Sequence, residues 1–239
     1  MKIIKTFIIE LPRGVKFIIL INSAIYFVCV ILSVFSIDLF KALSFHSFVD
    51  TNFRLYQLVT SVFVHSFNID HILVNSIFFL VFAPGIERKI KTRNFIALYL
   101  ISGISSVIVA EYFLHQKYID YNELIKICNR SNSPFKELEI SSVTSDLNTN
   151  YILGSSGAIF GVLMYYFLDN FLILKKIGYV LFLSIFFIMA IITVITNLNP
   201  TSKISESAHL GGSISGAIYF FAYKASSLSR HVFLNKMQT

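Results

Sequence analysis

A chain of 239 residues that is 55% hydrophobic and only 14% charged has too little polar surface to cover a globule in water, where domains carry about 25% charged residues. The composition therefore excludes a soluble domain and points to a membrane protein. A formal net charge of +7 suggests nucleic acid at first sight, yet the positions of the charges fit a membrane topology better, and no nucleic-acid partner is expected. Cys29 lies in an apolar run and Cys128 in a polar one, so neither a mutual disulfide nor a metal site is indicated.

Residues 1–16 form a short, basic segment. Phe17–Phe35 then runs 19 residues without a charge, enough to cross a hydrocarbon core of about 30 Å, and reads as a retained first span rather than a cleaved signal. Residues 36–70 are aromatic-rich and are expected to lie in the membrane interface. A second span is expected over 71–86, a basic turn over Glu87–Arg93, and a third span over 95–114. Residues 115–150 are a long polar stretch read as an extracytoplasmic loop, with a short amphipathic helix over Asp120–Cys128 and a sequon at Asn129-Arg130-Ser131. The fourth span starts near Ser155 and ends before Lys175-Lys176; the fifth covers 178–196. Asn197–Ser207 reads as a polar loop, the sixth span covers 208–223, and 226–239 form a tail.

The basic residues test this layout. With both termini cytoplasmic, the inner segments hold Lys2, Lys5, Arg13, Lys16, Arg88, Lys89, Lys91, Arg93, Lys175, Lys176, Lys224, Arg230 and Lys236, which is 13 of the 20. Lys and Arg favour the cytoplasmic side, and every inner connection is basic. An odd number of spans destroys the pattern, so the expected fold is an all-α, polytopic bundle of six transmembrane helices over 17–225.

Three motifs set a polar or small residue at the mouth of an apolar segment: His71 through Asn75, Gly154-Ser155-Ser156-Gly157, and Ala208-His209 followed by Gly212 and Gly216. A serine hydroxyl is a weak nucleophile until a base takes its proton. Ser156 stands at a helix start, where N–H groups stabilise developing negative charge, and Gly154 and Gly157 leave room for a substrate backbone. Glycine and serine also serve simply to pack membrane helices, so this motif alone does not separate the two roles. A soluble-lipase Gly-x-Ser-x-Gly elbow is excluded by Ala158.

His209 is an ionisable residue within a span, which marks function by default; a lone histidine bonded to a carbonyl is the plainer reading. The pairs Gly157/Gly161 and Gly212/Gly216 shift the balance, because such faces let two helices approach closely, as a serine–histidine hydrogen bond requires. His71 and Asn75 share a helical face and can both donate hydrogen bonds. They suit an oxyanion site or, alternatively, a helix start and an interhelical bond. His65 reads as a structural hydrogen-bonding residue, and Glu206 as a loop charge at the entrance of the sixth span. Neither a metal nor an organic cofactor is indicated.

Together these motifs resemble the rhomboid family of intramembrane serine proteases, over about residues 15–225 and in the family's order. The resemblance implies that Ser156 is the nucleophile and His209 the general base of a dyad. It implies that His71, Asn75 and the backbone N–H of Ser156 form the oxyanion site, with Gly154 beside it and Phe160 stacking near the histidine. Arg54 after Phe53, and Glu87, resemble the family's structural positions. The implied reaction is acyl transfer on peptide bonds in or near transmembrane segments of substrate proteins, within the lipid bilayer. His65 and His71 are six residues apart where the family usually has five, Phe53 stands where Trp is common, and the 115–150 stretch is long. These departures bear on loops and substrate preference, not on the dyad. Two rivals are a noncatalytic rhomboid-like protein that binds transmembrane clients and a small transporter. The first is disfavoured by the presence of both Ser156 and His209, the second by the absence of an inverted repeat. The expected location is a bacterial plasma membrane.

Overall fold

The computed structural model describes residues 10–130, 137, 140, 141, 151–170 and 200–236. They form an all-α membrane bundle. The first helix, α1 (Arg13–Val34), begins after Pro12, whose missing N–H costs nothing at a helix start. Its 22 residues reach about 33 Å at 1.5 Å per residue, sufficient to span a bilayer. Phe17, Leu20, Phe27, Ile31 and Val34 are exposed along it, while Val15, Ile18, Asn22, Tyr26 and Cys29 are buried. An exposed face this apolar is a face toward lipid.

Two short helices, α2 (Leu39–Leu43) and α3 (Gln57–Thr60), lie within the aromatic-rich segment. Buried Gln57 ties them together: its amide donates to the carbonyls of Ala42 and Asn52, and its oxygen accepts from the Arg54 N–H at 3.0 Å. The segment is also fastened to the chain just before the Gly154 motif, because Phe45 and Ile152 exchange two backbone hydrogen bonds of 2.8 Å. Gly154 N–H adds a bond to the Ser61 carbonyl at 3.0 Å.

The next element, α4 (Ile69–Arg130), is broken at Lys91, where φ is 69° and ψ 155°. The break folds the run into two arms that lie side by side, as the ring contacts of Phe79 with Phe95 and Tyr99 record. Glu87 ends the first arm and does what no residue of α1 does for itself. Its buried carboxylate accepts the otherwise orphaned N–H groups of Gly14 and Val15 at 2.8 and 2.7 Å, and the Thr92 hydroxyl at 2.6 Å.

Helix α5 (156–170) packs between the second arm of α4 and the last helix, α6 (Pro200–Lys236). Contact here is backbone to backbone. A Cβ on Gly212 would overlap the Gly157 carbonyl, and one on Gly216 the Gly161 carbonyl; on the other side, Cβ atoms on Gly157 and Gly161 would overlap Ser106 and Ser102. Around this seam Ala158, Ile159, Val162 and Tyr165 join Phe79, Ile86, Phe95, Leu98 and Tyr99 in the largest apolar cluster.

Two expectations are corrected. Residues 115–130, expected as loop with a short helix over Asp120–Cys128, continue the second arm of α4 without interruption to Arg130. Tyr118 anchors this extension by donating to Asp50, so a polar composition does not end the helix. The stretch from Pro200 to Ser207, expected as loop, forms the first turns of α6, with proline where helices tolerate it best. The fifth span, over 178–196, lies outside the described residues.

Candidate active site

Ser156 opens α5 two residues after Gly154, whose φ of +116° is open to glycine and strained for residues with a side chain. The turn presents two adjacent serines to different partners. Ser155 is fully buried and pairs with His65 Nε2 at 2.9 Å. His65 Nδ1 faces the Phe63 carbonyl at 3.3 Å and so donates its proton there, leaving Nε2 to accept from Ser155. Burial first, and then the neighbouring His71, push the His65 ring down to about 4, keeping it neutral. His65 makes hydrogen bonds, as expected of it, to Phe63 and Ser155.

Ser156 faces α6. His209 Nε2 lies 3.0 Å from Ser156 Oγ, within the range for proton transfer. The imidazole cannot swing away, because Phe160, one turn along α5, stacks on it with ring centroids 4.2 Å apart and planes 15° from parallel. Ser213 donates to the His209 carbonyl at 2.9 Å. The close approach that makes this geometry possible is the glycine seam of α5 and α6.

The start of α4 brings in His71. A side chain at Gly154 would meet His71 Cε1 and Nε2 at 3.1 and 3.2 Å, and Ser156 Oγ at 3.9 Å. The His71 ring edge therefore stands beside the backbone that leads into the serine. Asn75, one turn further on the same face, is buried, and its amide nitrogen has no hydrogen-bond partner. Buried donors are nearly always satisfied, so an unpaired amide here fits a place reserved for an acceptor.

Among the described residues no carboxylate bonds to His209. Glu206 Oε1 is buried without a partner and does not reach the ring. Arg54 uses its guanidinium to hold the Thr51 and Phe53 carbonyls at 2.9 and 2.7 Å, and Glu87 caps α1. Both act on the fold rather than on the serine. Sequence reasoning did not find Ser66, which touches His71, or the pairings of Asp50 with Tyr118 and of Ser47 with Glu111. All three depend on which loop residues meet which helix, and no periodicity announces that. No group of three or more His, Cys, Asp or Glu among the described residues could hold a metal.

No curated protein matches the chain. The family model of the Rhomboid domain, by contrast, matches residues 52–226, a stretch that takes in the Arg54 loop, the His71–Asn75 face, the Ser156 turn and the His209 helix. A match over most of the chain, on a helical membrane bundle, makes this protein a member of the rhomboid family.

Proposed function

We propose that this protein is an intramembrane serine endopeptidase that cleaves peptide bonds in or near transmembrane segments of other membrane proteins. The observation that carries the reading is the 3.0 Å approach of His209 Nε2 to Ser156 Oγ. In the proposed reaction Ser156 Oγ attacks the substrate carbonyl carbon while its proton passes to His209 Nε2. The resulting oxyanion is held by donors from His71, Asn75 and the backbone N–H of Ser156, with Gly154 leaving room for the peptide. His209 then delivers the proton to the amide nitrogen as the C–N bond breaks, and the first product leaves. A water molecule, deprotonated by His209, attacks the acyl-enzyme and restores the serine. No metal or organic cofactor enters this scheme.

A helical substrate carbonyl is already hydrogen-bonded within its own helix, so the scissile region must unwind before attack. Helix-breaking substrate segments are accordingly the better ones. We place the membrane domain at 17–225, a short cytoplasmic segment at 1–16 and a cytoplasmic tail at 226–239, in a bacterial plasma membrane. The active serine then opens toward the outer face.

Purified protein in micelles, given a transmembrane reporter carrying a helix-breaking segment, is expected to cut it. Ser156→Ala and His209→Ala should each lower the rate by at least about 10³-fold. A fluorophosphonate should label the parent and leave Ser156→Ala unlabelled. A parent that neither cuts nor labels would instead be a noncatalytic binder of transmembrane clients, and the proposal would fail.

A further inference from the structure

The chain that precedes α4 does more than lead into it. Between His65 and His71 it turns through Ser66, Phe67 and Asn68, and the Asn68 side chain and carbonyl accept the N–H groups of Asp70 and His71 at 3.2 and 3.0 Å. This start fixes the first turn of the helix and sets Ser66 against the His71 ring. Ser66 Oγ lies 3.2 Å from His71 Nδ1, and the Ser66 backbone N–H points at the same atom from 3.4 Å.

The second contact decides what the first means. A backbone N–H can only donate, so Nδ1 must accept, and a ring nitrogen that accepts carries no proton. The Ser66 hydroxyl then donates as well, since the same lone pair faces it. His71 is thereby a neutral imidazole with its proton on Nε2. That nitrogen is the one beside the Gly154 backbone, on the side of Ser156. The opposite tautomer would turn a lone pair toward any negative charge developing there and lose the contact with the Ser66 backbone N–H. His65 packs edge-on against the His71 ring at 5.4 Å and limits its rotation.

We infer that Ser66 is a positioning residue: it fixes His71 in the tautomer that offers an Nε2–H donor to the oxyanion. This rests on the proposed protease reaction, in which the oxyanion forms on the substrate carbonyl oxygen as Ser156 Oγ attacks its carbon. With His65 and His71 six positions apart rather than five, the connecting turn has room to set Ser66 against the ring nitrogen. Recognition of a tautomer by a second group that holds the other ring nitrogen is a general device of histidine sites.

The test has two parts. Histidine-15N spectra of the parent, with His71 assigned from a His71→Gln variant, should show Nδ1 as the unprotonated nitrogen and Nε2 as the protonated one. Ser66→Ala keeps the backbone contact but loses the hydroxyl; it should lower kcat about tenfold with KM unchanged and broaden or shift the His71 Nδ1 signal. Ser66→Thr restores the hydroxyl and should recover kcat to within about threefold, which a purely structural role for the serine side chain does not require. A protonated Nδ1 in the parent overturns the inference, and so does a Ser66→Ala enzyme with the parent's kcat. If Ser156→Ala cleaves as well as the parent, the protease reading itself is wrong, while the spectra still report the tautomer on their own.

Discussion

At the scale of single residues, the serine and histidine were legible in the sequence because each is costly or purposeless where it stands. An imidazole within an apolar run and a serine between glycines call for an explanation that packing alone does not supply. Their contact, 3.0 Å across helices α5 and α6, was foreseeable because the glycine pairs gave the spacing. Asn75 was legible as a donor on the face of His71, but not as an unpaired one, since an orphaned amide is visible only when the surroundings are known. That orphan leads to a prediction. Asn75→Ala removes a buried donor that has no hydrogen-bond partner, so the ground state loses little, while in the proposed reaction the transition state loses a hydrogen bond to the oxyanion. The expected result is a kcat lower by about 10²–10³ with KM nearly unchanged, read from reporter cleavage over a range of substrate concentrations. A rise in KM at constant kcat would assign Asn75 to uniform substrate binding instead.

At the scale of elements, the seam between α5 and α6 sets the distance between Ser156 and His209. Because a Cβ on Gly212 would overlap the Gly157 carbonyl, Gly212→Ala must push the two helices apart, and a displacement of about 1 Å can cost about 10²-fold in rate. The variant should stay helical by circular dichroism and cut about a hundredfold more slowly. Gly85→Ala, where a Cβ meets nothing within 4 Å, should cut as the parent does. The interfacial segment is held by a different kind of contact, one that the sequence did not announce. Asp50 accepts from the Asn52 N–H at 2.8 Å, from His46 at 3.0 Å and from the Tyr118 hydroxyl, which lies on α4. Burial works against the Asp50 charge, but these donors outweigh it and hold the carboxyl below its ordinary range, while burial and then Asp50 push the Tyr118 hydroxyl up. The sign follows from linkage. A carboxyl depressed in the folded state contributes stability fully above its unfolded value of about 4 and loses it as pH falls through the folded value. In micelles, the parent should therefore melt above Asp50→Asn at pH 7, and the gap should shrink as the pH is taken below about 4. A gap that persists into acid would mean that the carboxylate charge is not what fastens the segment.

At the scale of the whole molecule, two kinds of surface share one chain. Exposed apolar faces recur on α1, on both arms of α4 and on α6, through Phe27 and Ile31, Ile77 and Val81, Ile101 and Ile108, and Ile214 and Ile218. Polar contacts gather at the ends instead, as where Asp169 on α5 accepts from Lys89 on α4 and Lys224 on α6 at 2.8 and 2.7 Å. That three-helix clasp lies at the end opposite Ser156, among the basic residues assigned to the cytoplasm. The lipid-facing surfaces were readable from hydropathy, since it is a property of composition along the chain. The extent of the helix beyond residue 114 was not, because its polar residues are compatible with loop or helix until Tyr118 finds Asp50. The extension makes the orientation testable with the two native cysteines. Cys29 is buried in α1 and Cys128 lies half-buried in the last turn of α4, which the proposed topology puts outside the membrane. A membrane-impermeant maleimide added to intact spheroplasts should label the parent, and Cys128→Ser should abolish the label. If labelling appears only after lysis, the polar extension is cytoplasmic, the serine opens to the inside, and the distribution of Lys and Arg has been read the wrong way round.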